Sequence, residues 1–248
     1  MALRLHKMPI LSPEQLTGRV CTHVIELSEP RCTLHPEAAA AFLGLRAQAR
    51  RSGIDLRPSS SFRDFERQLR IWNEKYHGRR PLLDAAGRVL DRAQLDDEQT
   101  VQAILLWSAL PGASRHHWGT EVDVFDRAAM PVGQPHLVPA EFAPGGIFEK
   151  LGAWLPRHCA DFGFFLPYDL DRGGVQPEPW HLSYAPVSSE ALVELSVEVL
   201  EQALAEAELA AAGVVRRQLA SIHKRYVASV ARPSALALQR VNPAARPS

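Results

Sequence analysis

The chain has 248 residues, of which 46% are hydrophobic and 23% charged, and its 28 Lys and Arg side chains balance 28 Asp and Glu. That length buries one full core with room for a helical annex, and the balanced charge gives no footprint for nucleic acid or an anionic membrane as partner. No stretch approaches the ~20 apolar residues of a membrane span. Met1 to Leu16 lacks the unbroken apolar run of a signal peptide. Cys21, Cys32 and Cys159 are odd in number and lack CxxC spacing, which argues against a disulfide framework. A cytoplasmic protein is the expectation.

In chain order, Pro36 to about Arg51 reads as a helix, with Pro36 in the first turn, a run of alanines, and Gly53 as the stop. Ile54 to Phe62 reads as extended, and Asp64 to Tyr76 as an amphipathic helix with Phe65, Leu69 and Trp72 on one face. His77 to Gln94 is polar and broken by Gly78, Pro81 and Gly87, and reads as a surface excursion. Asp96 and Asp97 suit the start of a helix reaching about Leu110. Thr120 to Phe125 alternates as a strand, with Val122 and Val124 towards the core and Glu121, Asp123 and Phe125 on the other face. Gly146 to Phe162 predicts a helix, Phe164 to Tyr168 a strand, and Asp169 to Val175 a turn. Glu178 to Tyr184 predicts a last strand, where Pro179 is tolerable only at an edge or bulge. Ser188 to about Ala231 reads as two helices broken at Gly213, and Arg232 to Ser248, with three prolines, as a loose tail. The expected organisation is a first domain over 1–187, a helical extension over 188–231 packed on it, and a flexible tail over 232–248. The class is α+β, a small antiparallel sheet framed by helices.

Two stretches carry the chemistry: Ser114-Arg115-His116-His117-Trp118-Gly119-Thr120-Glu121-Val122-Asp123, and Glu178-Pro179-Trp180-His181. They offer two imidazoles and one carboxylate that can converge on a metal, plus a free carboxylate three positions before the last imidazole. That is the ligand set of a catalytic zinc site with an open position for water. A lone histidine means little in a chain with ten. The ordered set carries the reading, together with Gly119, which permits a tight bend back towards His116. Glu178 suits the role of base better than that of a fourth ligand, because four protein ligands close a zinc site whereas a carboxylate beside the water takes its proton. Its bland alternative is a surface carboxylate in an edge strand. His117 should point away from His116, for support or packing. Trp118 and Trp180 either wall the site or fill the core, and Ser114 either hydrogen-bonds substrate or shapes the turn.

The pattern Ser114-x-His116-x-x-Gly119-x-x-x-Asp123, followed by Glu178-x-x-His181, resembles the signature of the VanY-like D-alanyl carboxypeptidases. These belong to the LAS metallopeptidases, whose fold is shared by lysostaphin, D-Ala-D-Ala carboxypeptidase and sonic hedgehog. The resemblance covers about Leu34 to Tyr184. It implies a LAS/hedgehog-like zinc peptidase fold for the first domain, one zinc ion per chain held by His116, Asp123 and His181, and Glu178 as base. The implied partner is a peptidoglycan-derived peptide; no signal of an oligomeric state accompanies it.

The family also has an upstream Ser-aromatic-Arg element followed by Gln, matched by Ser61-Phe62-Arg63 and Gln68. A carboxypeptidase must recognise a free C-terminal carboxylate. An Arg fork does so bidentately, and can also stabilise charge on the scissile carbonyl oxygen. The resemblance therefore implies substrate contacts for Arg63, Gln68, Ser61 and Ser114, and for Tyr168 and Tyr184, which lie where the family often has tyrosines near substrate. Without it, Arg63 reads as a helix-start surface residue and Gln68 as part of an exposed helix face. Glu121 departs from the family, where many relatives carry a small residue. On the face of Asp123 it is expected to contact a substrate amine or crowd the pocket.

The family removes the C-terminal D-alanine of peptidoglycan peptides, some members after D-alanine and others after an L-centre. A cytoplasmic D,D-carboxypeptidase would destroy the pentapeptide precursor of the wall, whereas an L,D-carboxypeptidase would trim recycled tetrapeptides to tripeptides. L,D activity in cell wall recycling is the expectation, with D,D-carboxypeptidase on pentapeptides or a peptidoglycan endopeptidase as alternatives. A zinc-stabilised binding module without turnover is the remaining class, opposed by Glu178 and Arg63.

Overall fold

The computed structural model describes residues 10–239, in which short strands alternate with helices. A one-turn helix α1 (Pro13–Leu16) is closed by a capping box between Ser12 and Gln15. A hairpin of β1 (Ile25–Ser28) and β2 (Arg31–Leu34) then leads into α2 (Pro36–Arg51), β3 (Leu56–Ser60) and α3 (Phe65–Tyr76). A second hairpin, β4 (Leu82–Leu83) with β5 (Val89–Leu90), precedes α4 (Asp97–Leu105). There follow β6 (Glu121–Asp126), α5 (Pro139–Phe142), α6 (Glu149–His158), β7 (Phe164–Phe165) and β8 (His181–Tyr184). The C-terminal part holds α7 (Ala185–Glu194), α8 (Val197–Leu204) and α9 (Ala212–Ile222). This mixture of helices and small antiparallel sheets is the α+β class expected from the sequence.

Side-chain caps set the helix starts. Asp64 accepts from the Arg67 backbone nitrogen at 2.7 Å to open α3, and Asp96 forms a capping box with Gln99 to open α4. Each satisfies an amide that the first turn leaves without a partner.

The main sheet has the order β3-β6-β8-β7, with every pair antiparallel. Its register places Ser60 opposite Asp123, and Asp123 opposite His181. Residues directly opposite on an antiparallel pair stand with Cβ atoms roughly 4.5–5.5 Å apart. Strand pairing thus brings together two side chains far apart in the chain. Val122, Val124 and Leu182 pack with Phe42 and Leu45 of α2 and with Leu151 and Leu155 of α6 in one core cluster. Phe125, expected on the Asp123 face, belongs to that same cluster and meets Phe148 at a ring separation of 6.1 Å. All six residues of β6 are buried, so the Asp123 face is covered as well.

Several expected elements differ. The strand expected from Glu178 starts only at His181; Glu178 to Trp180 form a turn closed by the His181 amide on the Glu178 carbonyl. Pro179 therefore sits outside the ladder, and β8 is an interior strand between β6 and β7, where a proline would cost a ladder bond. The excursion after His77 folds back as the β4–β5 hairpin, with Leu82 buried against α4 residues Val101 and Ile104. Among the described residues three α-helices follow β8 where two helices were expected, and Gly213 lies in the first turn of α9 rather than at a break. Leu200, Leu204, Val215 and Leu219 of α8 and α9 share a second core cluster with Phe65 and Trp72 of α3 and Ile104 of α4. The loose tail expected from Arg232 is packed as far as Ala237, which is fully buried with Phe165 and Ala185. The last nine residues of that tail lie outside the described residues, as does most of the Met1 to Leu16 stretch read for a signal peptide. Among the described residues no helix is long and apolar enough to cross a membrane.

Candidate active site

His116 sits on a single 3₁₀ turn, Arg115–Trp118, which Gly119 ends in the left-handed region at φ 69°. A Cβ on Gly119 would stand 2.4 Å from Val24 Cγ1 and 2.8 Å from the His35 backbone nitrogen. Gly119→Ala is expected to destabilise the protein by more than the ~1–2 kcal/mol that a left-handed backbone costs an L-residue. Urea unfolding checks this, and an unchanged midpoint would show that the bend relaxes freely.

That turn, β6 and the start of β8 bring His116, Asp123 and His181 together with ligand atoms all within 4.8 Å of one another. His116 Nε2 lies 3.3 Å from Asp123 Oδ2, and His181 Nδ1 lies 3.1 Å from Asp123 Oδ1. Two ligands held at ~2.0–2.1 Å from one tetrahedral ion stand about 3.3–3.4 Å apart, so these spacings suit zinc. The hydrogen bonds agree. His116 Nδ1 is 2.8 Å from the Ser61 carbonyl, which can only accept, so the proton sits on Nδ1. The other ring nitrogen, Nε2, is the one that faces the Asp123 carboxylate. Burial holds His116 below the ordinary histidine range although Asp123 opposes this. Asp123 Oδ1 is buried without a hydrogen-bond partner. Burial disfavours its charge, but His116 and His181 outweigh that and hold the carboxyl far below its ordinary range. Two imidazoles, an ionised carboxylate and an orphaned acceptor fit a zinc ion. Glu178 Oε2 stands 3.3 Å from His181 Nδ1, beside this set and outside it.

Glu121 does neither of the things expected of it. It is fully buried beneath His181, whose Nε2 lies 2.8 Å from Glu121 Oε2. This fixes Nε2 as the donor and leaves Nδ1 for a metal, the arrangement of a carboxylate–histidine pair behind a metal ligand. The other oxygen, Oε1, accepts from Thr120 Oγ1 at 2.9 Å and Ser183 Oγ at 2.8 Å, and lies 3.4 Å from Arg115 Nη2. Burial pushes the Glu121 carboxyl up, but Arg115 and His181 prevail and bring it down to about 2. Burial likewise opposes a charge on His181, but the surrounding carboxylates of Asp123, Glu121 and Glu178 hold it well above the ordinary histidine range.

Arg63 is tied to the same block through the backbone. The Arg63 amide donates to the His116 carbonyl at 3.2 Å, and the Arg63 carbonyl accepts from His117 Nδ1 at 2.6 Å. His117 Nε2 in turn accepts from the Gly112 amide at 3.1 Å, and burial drops its pKa to about 3. His117 is a neutral support, as its position beside His116 suggested. The Arg63 guanidinium donates to Gln68 Oε1 at 2.7 Å and Ser60 Oγ at 3.3 Å, both neutral. No described carboxylate forms an ion pair with it. Gln68 is fully buried, also donates to the Ala109 carbonyl at 2.6 Å, and is not in the lining of the cavity that opens over the site. The Ser61 hydroxyl accepts from the Thr33 amide at 3.1 Å. The Ser61 carbonyl faces His116 Nδ1, and Ser61 is not in the lining of that cavity either.

A cavity of about 710 Å³ opens over these groups, lined among others by Arg63, Ser114, His116, Asp123, Tyr168, Glu178 and His181. Ser114 and Tyr168, for which substrate contacts were expected, both line this cavity. Tyr168 packs its ring 5.0 Å from His181, and burial raises its hydroxyl to about 12. Tyr184 is not in the lining: it is buried in the core against Phe164, at a ring separation of 5.5 Å. Trp180 lines the cavity, whereas Trp118 is a core residue whose Nε1 donates to the Leu16 carbonyl at 3.1 Å. Leu83 and Ala85 to Gly87, from the hairpin read as an excursion, complete one wall.

The family model described as VanY, D-alanyl-D-alanine carboxypeptidase, matches residues 31–187. The chain belongs to the VanY family. An uncharacterized protein of Haemophilus influenzae is 48% identical over 103 residues, which is 40% of this chain and 70% of that protein. A D-alanyl-D-alanine carboxypeptidase of Enterococcus faecalis is 26% identical over 144 residues, 57% of this chain and 44% of that protein. Among solved structures, VanYB in complex with D-alanine-D-alanine aligns at 23% identity and a TM-score of 0.48, covering 74% of this chain and 89% of that one. The VanY match contains every residue of the candidate metal set, Glu178 and Arg63, and ends where α7 begins.

Proposed function

We propose that this VanY-family protein is a zinc-dependent carboxypeptidase that removes the C-terminal D-alanine from peptidoglycan-derived peptides. One observation carries the reading: the three-ligand set, a free carboxylate and an arginine without a counter-ion face a single cavity. His116 Nε2, Asp123 and His181 Nδ1 would hold one zinc ion, which supplies Lewis-acid polarisation of the scissile carbonyl and lowers the pKa of its water towards about 7. Glu178 takes the proton of the attacking water and delivers it to the departing amine, as a general base turned general acid. The Arg63 fork, held open by Gln68 and Ser60, receives the terminal carboxylate. Ser114 and Tyr168 line the path of the peptide.

For the bond cut, we favour the L,D reaction on tetrapeptides. The three cysteines are free thiols, and burial raises those of Cys32 and Cys159 to about 11 and about 12. Such thiols suit a reducing compartment, where recycled tetrapeptides are available and a D,D enzyme would consume wall precursors. The description of the matching family and the Enterococcus relative favour the D,D reaction as the second reading. Zinc-loaded protein incubated with tetrapeptide and pentapeptide muropeptides separates the two. D-alanine released only from the pentapeptide would replace the L,D reading by the D,D one, and no release from either would end both.

Arg63→Ala is expected to reduce kcat/KM on a tetrapeptide by roughly 10- to 100-fold, mostly through KM, since a charge-assisted fork is lost. Steady-state kinetics check this. Unchanged cleavage of the tetrapeptide, or equal cleavage of an internal bond by both proteins, would favour an endopeptidase.

A further inference from the structure

Lys75 has no place in the chemistry above, yet it lines the same cavity. It stands seven residues after Gln68, two helical turns along α3 and therefore on the same face as the residue that orients Arg63. Its ammonium has no hydrogen bond or ion pair with any described residue, whereas nearby Arg80 is paired with Glu74. It is close enough to feel the charges of Glu178 and Arg63, and burial draws its pKa down to about 8. This half-buried, unpaired ammonium lacks a protein anion to compensate its partial desolvation. The Arg63 guanidinium shares this condition, and the terminal carboxylate of substrate relieves it there.

We propose that Lys75 is a second anion-binding position of this site. It takes a carboxylate upstream of the released residue, which makes the substrate class a peptide with at least two carboxylates. This rests on the carboxypeptidase reading. Lys75 feels the charges both of Arg63, which takes the terminal carboxylate, and of Glu178, which serves the scissile bond, so only a few residues of extended peptide span the interval. The second carboxylate therefore belongs to one of the residues just before the scissile bond. In wall peptides two groups meet that description: the side-chain carboxylate of a diaminodicarboxylic acid, and the α-carboxylate of a γ-linked glutamate.

Three tetrapeptides decide the matter: the free acid, the amide at the diamino-acid side chain, and the amide at the γ-linked glutamate. Each is assayed with zinc-loaded wild type, Lys75→Gln and Lys75→Arg. One of the two amides is expected to lower wild-type kcat/KM by roughly 10- to 100-fold, the range of a hydrogen bond to a charged group. The amide that does so identifies the carboxylate. In Lys75→Gln the ratio between free acid and that amide falls towards one, and Lys75→Arg restores it. Wild type that cleaves all three peptides equally overturns the inference without touching the carboxypeptidase reading. So does a preference that survives in Lys75→Gln. Wild type that cleaves none of the three ends the L,D reading and the inference with it. Should Lys75→Gln fail to fold, the wild-type comparison alone still overturns or supports the proposal.

Discussion

Glu178→Ala is expected to lower kcat/KM on a wall tetrapeptide by roughly 10²- to 10⁴-fold, the usual contribution of a positioned general base, while the protein keeps its zinc. The carboxylate is 3.3 Å from His181 Nδ1 but lies outside the three-ligand set, so a metal would keep three protein ligands after its removal. Its backbone is fixed by the Glu178 amide on the Tyr168 carbonyl at 2.9 Å, and this does not depend on the side chain. Zinc content per chain and tetrapeptide kinetics, measured on one preparation, check both halves. Full activity would mean that another group takes the proton. Loss of zinc would make Glu178 a ligand instead.

Glu121→Ala is expected to damage the fold and the metal site together. Arg115 and Glu121 are a buried pair, with side chains 2% and 0% exposed. Removing one partner of such a pair costs about 3–5 kcal/mol, because the other charge remains in the interior uncompensated. The same change frees His181 Nε2 from its acceptor, and loss of such a support lowers metal affinity by roughly 10- to 100-fold. Glu121→Gln keeps an acceptor for Nε2 and is expected to retain more of the zinc affinity than of the stability. Denaturant unfolding and competition with a chromophoric chelator measure the two effects separately. A Glu121→Ala protein with wild-type zinc affinity would show that Glu121 only neutralises Arg115.

The candidate metal set was legible in the sequence because its spacing is a property of one chain segment and one short motif. The partners of these residues were not. Glu121 on an alternating strand reads as a group facing a pocket, and only the pairing of Glu121 with Ser183 shows it closed off beneath β8. Gln68 reads as exposed because it is a polar residue on an amphipathic helix, yet Ala109 and Arg63 use up its amide. An alternating charge at position 115 and a carboxylate at 121 were the available signal for their pairing, six residues apart across a bend. The helices after β8 were legible as helices from composition, but their number depends on caps such as Ser196, which accepts from the Val199 amide at 3.3 Å. The β1–β2 hairpin, short and half exposed, carries too little apolar alternation to announce itself.

The backbone bonds that join Ser61 and Arg63 to His116 and His117 have a consequence for the products. On the proposed carboxypeptidase reading, a carboxylate clamp and a hydrolytic centre mounted on one stitched block would not slide apart, so the interval between them would work as a calliper. A chain end seated in the clamp presents the same peptide bond each time, whatever the length of the rest. Such a calliper releases one residue per encounter, and a peptide shortened by that residue must offer a new end of matching size before it can be cut again.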